Sequence, residues 1–272
     1  MRMIFFLSAL IALSATPNAA EEQAVFFAHS VENIRIDGDL SDWPQDVPRY
    51  AITDARVGDL PRDAQDYEGH VQIAYSTAEN ALYVALEVRD ESIVAYDGDE
   101  RWQMDGCDIG LDLAPGNDSI DLFEFSIWGT DEVRWSTNKN NKDNDTRSWG
   151  LPKQDAQVSY RRGAFGHIYE WRFDAAQIGG GALHLEDGQA IGMTVRIRDQ
   201  DADGSLTNIV WCAVYTEPLW IADHVRHSVF LGREEAMQWG QIRGQARWAD
   251  NDEGMGRSTV YARSSEHAGL QI

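Results

Sequence analysis

The sequence has few of the residues that indicate a cross-linked or nucleic-acid-binding protein. Of its 272 residues only two are cysteines, Cys107 and Cys212, and only seven are prolines. Lys and Arg total 23 against 45 Asp and Glu, which gives a formal net charge of −22. That charge repels phosphate backbones and anionic lipid surfaces, so we expect neither nucleic-acid nor membrane partners. The excess of acidic residues has two alternative explanations, which are solubility alone and the binding of several calcium ions.

Long apolar runs are also missing, with one short exception at the start of the chain. A basic residue at Arg2 precedes an apolar stretch from Ile4 to Ala15, and small residues follow up to Ala20. This pattern predicts a secretory signal peptide over residues 1–20, cleaved after Ala19 or Ala20. The stretch is shorter than the roughly 20 apolar residues of a membrane span. No cysteine lies near the cleavage site, so we expect a periplasmic or extracellular protein without a lipid anchor.

Helical periodicity is scarce, and alternation of apolar and polar residues is common. The runs 70–75 and 81–88 alternate in this way, as half-buried strands do. Further predicted strands cover 107–113, 121–128, 131–136, 155–161, 167–173, 189–198, 207–215 and 227–231. Gly, Asn and Asp clusters separate these segments, which favours an all-β, jelly-roll-like antiparallel β-sandwich. We expect one main domain over residues 21–242; residues 243–272 either add strands to it or begin a second β domain.

Motifs of common enzyme classes are absent. The sequence has no Gly-x-Ser-x-Gly elbow, no zinc-type histidine pair and no phosphate-binding loop. His224 and His227 lack a matching third ligand nearby. Glycoside hydrolysis needs two carboxylates, but 45 acidic residues provide many pairs by chance. We therefore expect a noncatalytic protein.

Three segments, in order, resemble the family 9 carbohydrate-binding modules that accompany xylanases. They are Ile36–Trp43 (IDGDLSDW), Trp102–Asp112 (WQMDGCDIGLD), and a region from Tyr169-Glu170 through Asp199–Asp203 to Trp211. The resemblance covers residues 30 to about 242. It implies a calcium-stabilised antiparallel sandwich that binds a saccharide or polysaccharide and supports its capture or breakdown, with a glycoside hydrolase as a possible partner.

In the family two tryptophans clamp a sugar ring, and the matching residues here are Trp102 and Trp211. An aromatic face packs against the C–H-rich face of a pyranose, while polar groups at the rim bind its hydroxyls. Strand alternation places Cys107, Ile109 and Leu111 on one face and Asp108 on the other. By the same alternation Val210 and Cys212 lie on one face of their strand and Trp211 on the other. If Val210 and Cys212 face the core, Trp211 points away from it, as Asp108 does. Either tryptophan could instead fill the core.

Polar residues on the same predicted side are candidates for binding hydroxyls: Asp108, Glu124, Arg196 and Arg198. Asp108 stands where the family usually has Glu, and Glu124 where a basic or polar residue is common, so the identity of the sugar stays open. Solvated or internally paired charges are the alternative for Glu124, Arg196 and Arg198.

Asp199, Asp201 and Asp203, followed by Gly204, place carboxylates at alternate positions as calcium-binding loops do. The Glu that closes an EF-hand is missing, because Val210 occupies that position. We expect either calcium in another geometry or a hairpin turn with solvated aspartates. Asp37, Asp39 and Asp42 form a weaker second candidate.

The two cysteines of a secreted chain predict a disulfide between Cys107 and Cys212, if their strands are neighbours. Two buried free thiols are the alternative. Two other functions also stay open. One is a haem-binding electron-transfer sandwich with Met104 opposed by His70 or His167, and the other is a structural module whose sugar site has decayed.

Overall fold

A computed structural model describes residues 25–90, 92, 94, 104–113, 121–128, 132–138, 156–163, 166–178, 181, 183–211 and 227–234, with the backbone alone for 121–128 and 132–138. The strands are β1 Phe26–Ser30, β2 Arg49–Ile52, β3 Asp54–Val57, β4 Tyr67–Ser76, β5 Ala81–Asp90, β6 Gly106–Asp112, β7 Asp121–Trp128, β8 Glu132–Asn138, β9 Ala156–Gly163, β10 Gly166–Asp174, β11 Ala190–Gln200, β12 Leu206–Trp211 and β13 His227–Leu231. The helical segments are a 3-10 turn at Leu40–Asp42 and α1 at Ala175–Ile178. Neither they nor any other helix of the described residues is long and apolar enough to cross a membrane.

The strands form two sheets that share β1. In the first, here the β6–β11 sheet, the order is β8-β7-β6-β11; β12 and β13 both pair with the far side of β11, and β3 pairs with β12. In the second, the β4–β5 sheet, the order is β9-β10-β5-β4, and β2 and β1 pair with β4. These pairs are antiparallel except that β1 runs parallel to β13 and β4. The all-β sandwich is confirmed; the parallel β1 was not anticipated.

The hydrophobic core lies between the two sheets. It contains alternate residues of β6 (Cys107, Ile109 and Leu111) and of β11 (Val195 and Ile197). From the other sheet come, among others, Val71, Ile73, Leu86, Tyr169 and Trp171. The predicted alternation of β6 and β11 is therefore confirmed, and Asp108, Arg196 and Arg198 project from the opposite, outer face.

The predicted orientation of Trp211 is wrong. Trp211 pairs with Val195 and Ile209 pairs with Ile197, so both face the core between the sheets. Val210 instead pairs with Arg196 on the outer side. Ile209, Val210 and Trp211 are all apolar, so the sequence pattern of this segment does not show which of them face the core. The register with β11 fixes it.

A smaller apolar cluster covers the outer face of the β4–β5 sheet. Residues of the 31–47 segment, including Trp43, pack on Ala74, Tyr83 and Ala85 there. Glu170 of β10 holds this segment in place. Its carboxylate accepts hydrogen bonds from the Trp43 indole (2.8 Å) and from the backbone N–H groups of Asp37 (2.9 Å) and Gly38 (2.8 Å). Two of the sequence motifs thus meet at a structural contact.

Candidate functional site

Three predicted site residues lie together on the outer face of the β6–β11 sheet. Asp108 of β6 is paired in register with Arg196 of β11, and Arg198 follows two residues later on the same face. One carboxylate oxygen of Asp108 accepts from Arg196 Nε at 2.5 Å, and the other accepts from Arg198 Nη1 at 2.5 Å. The alternative of internal pairing holds for both arginines, and we call this group the Asp108 triad.

Electrostatics keep the triad ionised. Burial by itself raises the pKa of Asp108, but the guanidinium groups of Arg196 and Arg198 outweigh it and hold the pKa below its ordinary value. Two arginines against one carboxylate leave a charge of +1. The side chain of Arg196 is 11% exposed, whereas those of Arg198 and Asp108 are 4% and 1% exposed. Arg196 is thus the member that a ligand can reach most readily.

Asn208 of β12 extends this polar surface, and sequence reasoning missed it. It is paired with Arg198 in register, so it lies on the outer face beside the triad. Its side-chain Oδ1 is buried and has no hydrogen-bond partner among the described residues. A buried acceptor without a partner is costly and needs an explanation such as a ligand or water. An isolated Asn in a β-rich stretch offered no signal of this role before the strand register was known.

The remaining predicted sugar-binding residues are only partly described. Glu124 of β7 lies directly across from Asp108 in the backbone register. Its backbone therefore continues the row that runs through Asp108 and Arg196 to Val210, although its side chain is outside the described part. Trp102 also lies outside the described residues, so its stacking role stays a prediction.

A cavity of about 350 Å³ opens where β12 meets β2 and β3. Its wall is formed by Phe26, Arg49, Tyr50, Ala51, Thr53, Asp54, Val210, Trp211 and His227. Its size lies within the range of small-molecule pockets, and Arg49 and Asp54 supply polar groups beside the aromatic rings. Val210 lines this cavity and pairs with Arg196, so the cavity borders the row that contains the Asp108 triad.

Trp211 is part of the cavity wall but is only 5% exposed. Its ring contacts Phe26 edge-on at a centroid distance of 4.6 Å, lies 4.5 Å from the His227 ring, and stacks on Tyr50 at 6.1 Å. These neighbours occupy the faces that a sugar would need. Burial also lowers the pKa of His227 to about 4. The Trp211 cluster is therefore primarily a packing element.

The sequence matches a family model described as carbohydrate family 9 binding domain-like over residues 36–222, which is more than half of the chain. The chain belongs to this family. The matched region includes the Asp108 triad, Asn208 and the Glu170 contact. The family assignment and the all-β fold predicted from the motifs are thus both confirmed.

Solved structures agree with the family 9 assignment at the level of the fold. A family 9 carbohydrate-binding module from Caldicellulosiruptor kristjanssonii in complex with cellotriose aligns with a TM-score of 0.55 and 15% identity, over 81% of this chain and all of that one. The same organism's module in complex with glucose gives 0.55 and 15% over 79% and 99% of the two chains. A carbohydrate-binding protein from Bacteroides uniformis, described as putative, gives 0.50 and 10% over 76% and 98%. A search of curated proteins finds no match.

The acidic segment from Asp199 to Gly204, whose alternate carboxylates predict calcium, forms the end of β11 and the turn to β12. Ser205 Oγ donates to Asp201 at 2.9 Å and to Asp203 at 2.7 Å, and Ser205 N donates to Asp203 at 2.9 Å. Asp199 is buried at the end of β11, only 6% exposed. One oxygen from each of the three aspartates does not converge within 4.8 Å. Calcium at this turn stays a prediction.

The predicted Cys107–Cys212 disulfide required the strands of the two cysteines to be neighbours in the sheet, and the topology does not support this. Cys107 is buried in the core without a disulfide partner among the described residues, and burial raises the pKa of its thiol. Strands β6 and β12 are not neighbours, because β11 lies between them. Strands two apart in a sheet are about 9–10 Å apart, beyond the span of a disulfide. Cys212 lies outside the described residues, so the bridge itself stays a prediction without that geometric support.

The residues considered for haem ligation have other contacts. His167 uses both ring nitrogens: Nδ1 bonds the Tyr160 hydroxyl at 2.8 Å, and Nε2 bonds Asp90 at 3.1 Å. Met104 is fully buried, and its backbone oxygen accepts from Arg198 at 3.4 Å. Both residues are buried among protein contacts, and nothing among the described residues favours a haem site at either of them.

Proposed function

We propose that this chain binds a saccharide without catalysing a reaction, at the outer face of the β6–β11 sheet around the Asp108 triad and Asn208. Family membership supports the proposal, as do the solved structures of the same fold in complex with cellotriose and with glucose. Saccharides of that class are the first ligands to test.

The observation that carries the proposal is the fixed polar surface formed by Arg196, Arg198, Asp108 and Asn208. Sugar hydroxyls both donate and accept hydrogen bonds, so a binding surface needs rigid donors beside rigid acceptors. The shared carboxylate of Asp108 fixes both guanidinium planes, which lowers the entropy lost when Arg196 donates to a ligand. Asn208 contributes an acceptor that lacks a partner among the described residues.

Asp108 argues against hydrolysis at this surface. A general acid in a glycosidase needs a raised pKa so that it carries a proton at neutral pH. The two arginines lower the pKa of Asp108 instead, and it stays ionised. We therefore assign this carboxylate to positioning, and we place any polysaccharide breakdown with a partner glycoside hydrolase.

The test begins with a glycan array and continues by calorimetry on a saccharide that binds. Asn208→Ala should weaken affinity by about two- to twelve-fold, since a neutral hydrogen bond contributes about 0.5–1.5 kcal/mol, while the Asp108 triad stays intact. Glu87→Gln, on the exposed outer face of the other sheet, is the matched control and should bind like the parent. Equal affinities for all three proteins would remove Asn208 from the site, and failure of the folded parent on the array would favour a decayed sugar site.

We also propose that residues 1–20 direct secretion. The basic start, short apolar stretch and small residues before Glu21 support this. Expression of the full chain in a bacterium, followed by mass analysis of the periplasmic fraction, should give a protein that starts at residue 20 or 21. Recovery of the uncleaved chain from the cytoplasm would contradict it.

A further inference from the structure

A second buried polar group lies at one end of the core, away from the outer face described above. Asp90 ends β5, His167 is the second residue of β10, and Asp105 directly precedes β6. Their residues are 4%, 2% and 1% exposed, respectively. One potential ligand atom from each lies within 4.8 Å of the other two. Two carboxylates and an imidazole are thus gathered where an apolar core would be expected.

Backbone contacts fix the group from both sheets. In the β4–β5 sheet His167 pairs with Val88, two residues before Asp90 on the same face. From the other side, Asp105 Oδ1 accepts from the N–H of Gln200, the last residue of β11, at 2.7 Å. Its Oδ2 accepts from Val94 N at 2.5 Å. Any ion held here would therefore connect the two sheets.

The hydroxyl of Tyr67 provides an independent indication of a missing ligand. Tyr67 is 8% exposed, and its oxygen is buried without a hydrogen-bond partner among the described residues. Tyr67 is paired with Asp90 across β4 and β5, and its ring leans over Gly69, where an added Cβ would lie 2.0 Å from the hydroxyl oxygen. Gly69 pairs with Val88, the register partner of His167. The oxygen thus lies on the inner face, in the row of the sheet that contains Val88 and His167.

Electrostatics are consistent with a site that needs a positive ion. Burial first, and then the charge of Asp90, raise the pKa of Asp105 to about 8. Burial, followed by the charge of Asp199, raises the pKa of Tyr67. Two carboxylates are therefore buried close together at this end of the core, and a bound proton or a metal ion offsets their charge.

We propose that Asp90, Asp105 and His167 bind one divalent transition-metal ion, of the zinc or manganese class, that connects the two sheets. One imidazole and two carboxylates suit such ions, whereas calcium takes oxygen ligands. His167 has the supporting contact that metal-binding histidines have, because Tyr160 bonds its Nδ1 and leaves Nε2 directed at Asp90. The unpartnered Tyr67 hydroxyl lies on the same inner face of the β4–β5 sheet as Asp90 and His167.

The experiment uses the full-length protein, stripped with a chelator and dialysed. Zinc, manganese and calcium chlorides are added separately; elemental analysis measures bound metal, and melting curves measure stability. We expect one zinc or manganese per chain and a higher melting temperature with that ion. Asp105→Asn should lose the metal-dependent shift and bind at least about ten-fold more weakly. In chelator it should melt lower than the parent, because one amide oxygen cannot accept from both Gln200 N and Val94 N. The readout is therefore the loss of the metal-dependent shift.

A second variant and a control make the result interpretable if Asp105→Asn folds poorly. Asp90→Asn keeps an acceptor for His167 and should also lose the metal response. Asp203→Asn, in the exposed β11–β12 turn, should keep it. Coincident curves in all metals and in chelator, with no bound metal, would overturn the proposal in favour of a protonated Asp105. A shift with calcium alone that Asp203→Asn abolishes would also overturn it and place the ion at the turn.

Discussion

At the scale of single residues, the motif residues of this chain turn out to have different roles. Asp37, Gly38 and Trp43 hold a covering segment to Glu170, which is fully buried. Asp108, in the next motif, orients two arginines. Sequence alone marked these positions but could not separate their roles, because carboxylates that stabilise a fold and carboxylates that orient a ligand look alike until their partners are known.

Glu170→Gln should destabilise the protein by about 1–3 kcal/mol, because one amide oxygen cannot serve three buried or half-buried donors that two carboxylate oxygens now satisfy. Urea unfolding of the variant and the parent measures this. Glu87→Gln, exposed on the same sheet, should stay within about 0.5 kcal/mol of the parent. If the two variants unfold alike, the contact with Trp43 is not a determinant of stability.

His227 should make the protein sensitive to acid. Its folded pKa is about 4 because of burial, below its ordinary value of 6.5. Between these pH values the unfolded chain binds a proton that the folded chain does not, so stability is complete above about pH 6.5 and falls as the pH drops towards 4. Arg49, Tyr50 and Asp54 line the same cavity as His227. They are present in both the parent and the His227 variant described next.

Replacing His227 by Phe keeps a ring against Trp211 and removes the titrating group. Melting temperatures of parent and variant between pH 7 and pH 4 should show a shallower decline for the variant. The exposed His184, replaced by Gln, is the control and should leave the parent's slope unchanged. Parallel slopes for parent and His227→Phe would exclude His227 as the source.

At the scale of elements, predictions succeeded where one face of a strand is polar. Strands β6, β7, β10 and β11 lie within a few residues of the predicted segments, since alternating patterns define both the strand and its buried face. The pattern predicted the wrong buried face for β12, because consecutive residues from Ile209 onward are all apolar. It also missed β1, β2 and β3, which are short and are defined by pairing with distant strands. Such pairing is not encoded in a local pattern.

The corrected face of β12 has a consequence that stability measurements can check. Trp211→Ala should lower the free energy of unfolding by about 3–5 kcal/mol, as removal of a buried aromatic ring does. Val210→Ala, one residue earlier and on the other face, should cost less because its side chain lies outside the central core. Denaturant titrations compare them. An undiminished stability of Trp211→Ala would restore the exposed stacking role first expected for this residue.

At the scale of the whole molecule, the sandwich separates two polar regions. The Asp108 triad and Asn208 lie on the outer face of one sheet, while Asp90, Asp105 and His167 lie between the sheets. The fold class and the family were predictable, because strand patterns and ordered motifs extend along the chain. The inner group was not, since Asp90 lies in β5, His167 in β10 and Asp105 just before β6, and only the packing of the two sheets brings them together.

The central claim is that a saccharide binds on the outer face of the β6–β11 sheet. Nuclear magnetic resonance tests it directly, by following the side-chain signals of Asn208, Arg196 and Trp211 while cellotriose, or the best ligand from the array, is added. The account predicts saturable shifts of the Asn208 amide and the Arg196 Nε–H, with smaller changes at the buried Trp211 indole. Shifts confined to Trp211 and His227 would place the ligand in the neighbouring cavity and contradict the account.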